Sequence, residues 1–180
     1  MFKSIVKGIV LPFLILSTFA MAESRDILDL QIKDTVAKFE KKAKGGKEFL
    51  EKRVAGYLVI PNLYKAGFVV GGEYGEGGMV IDGNITEYYQ MISASIGLQA
   101  GAQKRSLIIA FITPEALASF RKSNKWKVGV DGSIAVVDWG GGIDLSSIDF
   151  KKTIVAFAFD NTGLMVNLSI DGSVFSKLKK

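Results

Sequence analysis

The chain has 180 residues, a formal net charge of +5, 48% hydrophobic residues, and neither cysteine nor histidine. Without cysteine there are no disulfides, and without histidine the usual general base and commonest transition-metal ligand are missing. Nucleophile–His pairs and ordinary zinc sites are thereby excluded, which leaves Ser–Lys chemistry, a carboxylate pair or a carboxylate-bound metal as catalytic options.

Lys3 and Lys7 precede an apolar run over 9–19, and Ala20-Met21-Ala22 places small residues where a signal peptidase reads. This is the pattern of a secretory signal peptide over 1–22, with cleavage expected before Glu23 and a periplasmic or envelope-associated destination. The apolar run is too short to span a bilayer. No cysteine stands near the cleavage site, so lipoprotein processing is not expected. Removing residues 1–22 takes two lysines away, leaving 158 residues and a charge of +3. That length suits a single domain over 23–180, and the charge is too weak to indicate nucleic acid as a partner.

From 24 to 44 the pattern is helical, with Leu28, Ile32, Val36, Phe39 and Ala43 on one face. Lysines gather toward the end of this segment, and Gly45-Gly46 stops it. A short second helix is expected over 47–54, completing a helical part over 24–54. The remainder, 55–180, reads as strands. The first is expected to span 57–60 and to end at Pro61-Asn62, with 66–74, 77–81, 85–89 and 92–103 following. Lys104 and Arg105 are read as a tight connection before a strand over 107–112. Thr113-Pro114-Glu115 has the chemistry of a helix start, and a helix near 113–122 should bury Leu117 and Phe120. A strand pair or one long bent strand is expected over 127–138. A hairpin follows, with arms 153–159 and 164–170, and Asp171-Gly172 turns the chain into a last short element. The fold class is α+β: N-terminal helices on an antiparallel, glycine-rich curved sheet, barrel- or sandwich-like.

The glycines of 71–78 lack the helix and lysine that a phosphate loop needs, so bulges and close backbone approach are the expected use. Within 95–103, Gly97 and Gly101 are expected to face a closely packed element. Asp131, Asp138, Asp144, Asp149, Asp160 and Asp171 mostly mark turns, and none has the spacing of an EF-hand.

The stretch Ala55-Gly56-Tyr57-Leu58-Val59-Ile60-Pro61-Asn62-Leu63-Tyr64-Lys65-Ala66-Gly67-Phe68-Val69-Val70-Gly71-Gly72, followed by Tyr74-Gly75-Glu76-Gly77, resembles the opening of the SYLF-domain family. Residues 95–103 are similar to that family's glycine-glutamine strand, 107–120 to its strand and helix, and 163–173 to its closing hairpin. Two elements depart from the family pattern, at Thr86-Glu87-Tyr88-Tyr89 and at Trp139-Gly140-Gly141-Gly142. The resemblance implies a lipid-binding domain; the missing histidine and cysteine disfavour an enzyme, and no cofactor is expected. Eukaryotic members bind phosphoinositides and, in fungal actin-patch proteins, actin, while bacterial members are exported envelope proteins. The implied ligand here is an anionic phospholipid or membrane surface, met through a basic N-terminal segment over 33–53. The alternative is a structural or partner-binding periplasmic protein with no lipid ligand. Candidate lipid-binding residues are Lys38, Lys41, Lys42, Lys44, Lys47, Lys52, Arg53 and Lys65, with Phe49, Tyr57 and Tyr64 beside them.

Overall fold

The structure, a computed structural model, describes residues 24–67, 70–96, 101–138, 143–146, 151–162 and 170–180. The expected signal peptide, Gly97, Asp149 and residues 164–169 of the expected hairpin lie outside these. Two helices lead, α1 (Arg25–Lys42) and α2 (Gly46–Lys52), with the two-residue β1 (Ala43–Lys44) between them. Four long strands follow: β2 (Gly56–Gly67), β3 (Val70–Ile81), β4 (Asn84–Ile96) and β5 (Gly101–Phe111). After α3 (Pro114–Lys122) come β6 (Lys125–Lys127), β7 (Ala135–Asp138), β8 (Ile143–Asp144), β9 (Ile154–Thr162) and β10 (Val174–Leu178). Eight strands form one curled sheet in the order β6-β10-β4-β3-β2-β5-β9-β7, antiparallel except at β7–β9, and β1 pairs with β8 apart from it. The expected α+β class is the observed one.

Each face of the sheet buries its own core. On one, Leu58, Ile60, Leu63, Met79, Met91, Leu107, Ile109 and Phe111 pack with Leu117 and Phe120 of α3. The Phe120 ring lies 4.9 Å from Phe111, 5.0 Å from Tyr89 and 5.3 Å from Trp126. On the other, Val59, Val80, Ile108, Ala110, Val155 and Phe157 lie under Leu28, Ile32 and Phe39 of α1 and Phe49 and Leu50 of α2. Burial on both sides explains why 57–60, 107–111 and 154–159 are unbroken apolar runs instead of alternating ones. Gly78 lets α1 lie this close: a Cβ there would stand 2.7 Å from the Ile32 side chain.

Local chemistry fixes several elements as expected. The Thr113 hydroxyl accepts from the Ala116 amide at 3.2 Å, and Pro114 fills the first turn of α3, where no amide hydrogen is needed. Asp82 (φ 49°) and Gly83 (φ 75°) both take the left-handed conformation that a tight two-residue hairpin turn requires.

Other expectations fail for tertiary reasons. β2 does not end at Pro61 but runs to Gly67, because an extra residue between Val59 and Tyr64 forms a bulge that tolerates the proline. The Pro61 carbonyl accepts from the Ser106 hydroxyl at 2.9 Å. Lys104 and Arg105 are not a connection; they lie within β5, which starts at Gly101. The strands of 127–138 do not pair with each other: β6 joins β10 at one edge and β7 joins β9 at the other. Among the described residues, nothing lies within 4 Å of a Cβ built at Gly101, so the closely packed element expected there is not found among them.

Candidate functional site

The N-terminal lysines project from a helix pair whose aromatic residues are already committed inward. Phe39 and Phe49 are buried, their rings 5.3 and 5.6 Å from that of Phe157, so neither is an outward anchor. The cations between Lys38 and Lys52 are exposed, but most are matched by an acid. Lys38 meets Asp34 at 2.7 Å, Lys44 meets Asp144 at 2.8 Å, Lys47 meets Glu51 at 3.8 Å and Lys52 meets Glu48 at 3.5 Å. Lys42 pairs with Asp160 across the end of β9. The hydrogen bond from Lys44, joined by those from the Ser146 side chain and backbone, holds the Asp144 carboxyl down to about 2. Arg53 donates to the Leu145 carbonyl at 2.9 Å and lies over the Phe49 ring, which makes it a clasp between α2 and the segment after β8. Lys33 and Lys41 are exposed and take part in no ion pair among the described residues.

Lys65 belongs elsewhere. The bulge in β2 reverses the phase of the strand, so Leu63 and Lys65 point to the α3 face while Tyr64 points to the α1–α2 face. Lys65 thereby reaches Glu73 of β3 at 3.3 Å. Arg105 of β5 reaches the same carboxylate, one guanidinium nitrogen donating to both oxygens at 2.8 and 2.9 Å. The three side chains retain 15%, 1% and 7% of their exposure. Two cations thus share one buried anion, and Arg105 Nε is buried with no hydrogen-bond partner among the described residues. This cluster sits toward the end of the sheet where Gly67, Val70, Ile96 and Gly101 lie, here called the distal end.

On the opposite face of the same end, the register sets Lys104, Tyr64, Tyr74 and Ile92 in one row across β5, β2, β3 and β4. The next row is Ala102, Ala66, Gly72 and Ala94. At this flank α1 meets the sheet through the hydrogen bond between Gln31 and Asn62, and Tyr64 and Ile92 remain exposed. Tyr74 donates to Glu76 at 2.7 Å, and Glu76 also pairs with Lys180. Burial, together with that bonded carboxylate, raises the Tyr74 phenol well above its ordinary value.

A third polar group is structural. Glu87 of β4 takes Arg121 of α3 at 2.7 Å and Lys177 of β10 at 2.9 Å. Burial favours its neutral form, but the two cationic donors outweigh that and hold its carboxyl below the usual range. No cluster of three or more potential metal-ligating acids occurs among the described residues, and no helix there is long and apolar enough to cross a membrane.

The cluster partners Glu73 and Arg105 escape a motif search. They do carry a signal: Glu73 is in phase with Met79 along β3, and Arg105 with Leu107, Ile109 and Phe111 along β5. A charge in phase with a buried row implies a buried counter-charge.

Against known proteins, the family model for Ysc84, described as a Las17-binding protein actin regulator, matches residues 92–180, from the distal end of β4 to the C-terminus of the chain. No curated protein matches the chain.

Proposed function

We propose, on the premise that this chain belongs to the Ysc84 (SYLF-domain) family, that it is an exported, non-catalytic module that associates with anionic phospholipid surfaces in a cell envelope. The observation carrying this reading is the surplus of exposed cations on a helix pair whose phenylalanines are buried against the sheet. Residues 25–53 hold nine basic side chains against six acidic ones. A Lys or Arg held near an anionic bilayer contributes roughly 1 kcal/mol, screened over about 8 Å at physiological ionic strength. A surplus of this size gives weak, reversible and salt-sensitive attachment. The leader-like segment 1–22 supports export, and the absence of histidine and cysteine supports a role outside catalysis.

The family description favours a second reading, in which the basic surface meets a protein partner. Sedimentation with vesicles separates the two. The chain starting at Glu23 is expected to pellet with phosphatidylglycerol-containing vesicles at low salt, less as salt rises, and not with neutral phosphatidylcholine vesicles. Equal pelleting with neutral vesicles removes the electrostatic mechanism; no pelleting with either removes the lipid reading and leaves the protein partner.

A further inference from the structure

We infer that the membrane-contacting part of this protein is the distal end of the sheet, where an uncovered apolar row faces the bilayer and sheet-borne cations meet the lipid phosphates. The inference rests on the lipid reading above and gives it a location.

Two exposed apolar side chains share one row of the sheet at the distal end, Tyr64 and Ile92. Among the described residues, five large hydrophobic side chains are exposed, among them Ile27 (50%) and Leu30 (67%) on α1 and Tyr64 (50%) and Ile92 (47%) on the sheet. Gln31 bonds Asn62 of β2, which turns that side of α1 toward this row, and Ile27 stands one helical turn earlier on the same side. The rows are flat as well as apolar, because Ala66, Gly72, Ala94 and Ala102 carry little or no side chain. A flat sheet surface with a protruding tyrosine and isoleucine suits the boundary between headgroups and acyl chains better than a groove for a peptide.

Charge selects the anionic bilayer as occupant. Lys104 closes the row at one end, its ammonium 6.0 Å from the centre of the Tyr64 ring. On the reverse face, among the described residues, Lys65 and Arg105 share the one carboxylate of Glu73, which leaves the cluster with a positive charge in excess and Arg105 Nε without an acceptor. Glu76 is offset by Lys180. The distal end thus carries net positive charge, exposed at Lys104 and, in the cluster beneath the reverse face, buried, where it is least screened by salt. The cations between Lys38 and Lys52, mostly matched by acids in water, draw the protein toward the membrane, and the distal end makes the contact.

The chain contains no cysteine, so a single introduced thiol can be labelled uniquely. Ile92→Cys and Lys41→Cys, each carrying a polarity-sensitive fluorophore, are mixed with phosphatidylglycerol-containing vesicles bearing a quencher in the acyl region. Quenching at position 92 but not at 41 is expected. In parallel, Tyr64→Ser/Ile92→Ser/Lys104→Glu should lower vesicle affinity at least about tenfold, while Lys33→Glu/Lys41→Glu changes it by less. Quenching at 41 alone, or wild-type affinity in the folded triple variant, overturns the inference and leaves lipid binding to the helices. Failure of the unsubstituted chain to bind these vesicles overturns the lipid reading itself. Loss of a self-association in the triple variant, seen by sedimentation velocity, overturns the inference in favour of a second copy as occupant. Should the triple variant not fold, the labelled single-site proteins decide.

Discussion

The helix pair and the distal end of the sheet are both basic, yet they are built on opposite electrostatic plans. On α1 and α2 most lysines have an acid of their own, one helical turn away for Lys38, Lys47 and Lys52 and on β9 for Lys42, and the helical pairs stay in water. In the distal cluster Lys65 and Arg105 converge on the single carboxylate of Glu73, nearly out of contact with solvent. Exposed pairs contribute about 0–1 kcal/mol each. Taking one partner from a buried set costs far more, because the charge left behind has lost its water without keeping its counter-ion. A count of lysines treats the two regions alike; burial separates them.

The comparison can be broken most directly at Glu73. Glu73→Ala strands two cations under the sheet and should destabilise the fold by roughly 3–5 kcal/mol in a thermal or denaturant melt. An effect the size of a surface pair would show that the cluster is hydrated and that the two regions are not different in kind. Gly77→Ala acts at the border between them. A Cβ at Gly77 would fall on the Val59 carbonyl oxygen, beside the bulge that turns Lys65 toward Glu73 and Tyr64 toward the other face. A loss at the upper end of about 1–3 kcal/mol is expected, since backbone and not a flexible side chain must give way. The smallest effect belongs to the exposed pair Lys44–Asp144. With its folded-state value held down to about 2, the Asp144 carboxyl adds stability that is present above its ordinary 3.8 and lost as pH falls through about 2. Lys44→Ala should melt slightly below the unsubstituted chain at neutral pH and coincide with it below about pH 2. A gap that persists there would mean that Lys44 acts through packing.

What could be read from the sequence follows the range of the forces involved. α3 was legible because Thr113, Pro114 and Glu115 act within one turn of the helix they start. The hairpin turn at Asp82-Gly83 was legible for the same reason. Lys104-Arg105 was misread as a connection because charge is a good local sign of exposure, and only Glu73, thirty-two residues away along the chain, reverses that sign. Pro61 was misread as a strand end because a bulge is a property of the paired strands and not of the proline. In the candidate site the supply of cations was visible, but their partners were not. Asp144 and Asp160, which hold Lys44 and Lys42, looked like ordinary turn residues, and Lys65 looked like one more member of a helical surface that it does not share a face with.

The outermost strands of the large sheet have a bearing on how copies of this protein meet. β6 is three residues long and β7 four, while the four strands β2–β5 are at least eleven. The Lys125-Trp126-Lys127 sequence of β6 alternates so that Trp126 is buried and both lysines are exposed. A neighbouring chain adding itself by strand pairing finds few free amides on this border, and two ammonium groups beside them. Protein gathered at high local density on a lipid surface would therefore be protected against sheet-to-sheet polymerisation, the hazard that crowding otherwise brings to an open sheet of this breadth.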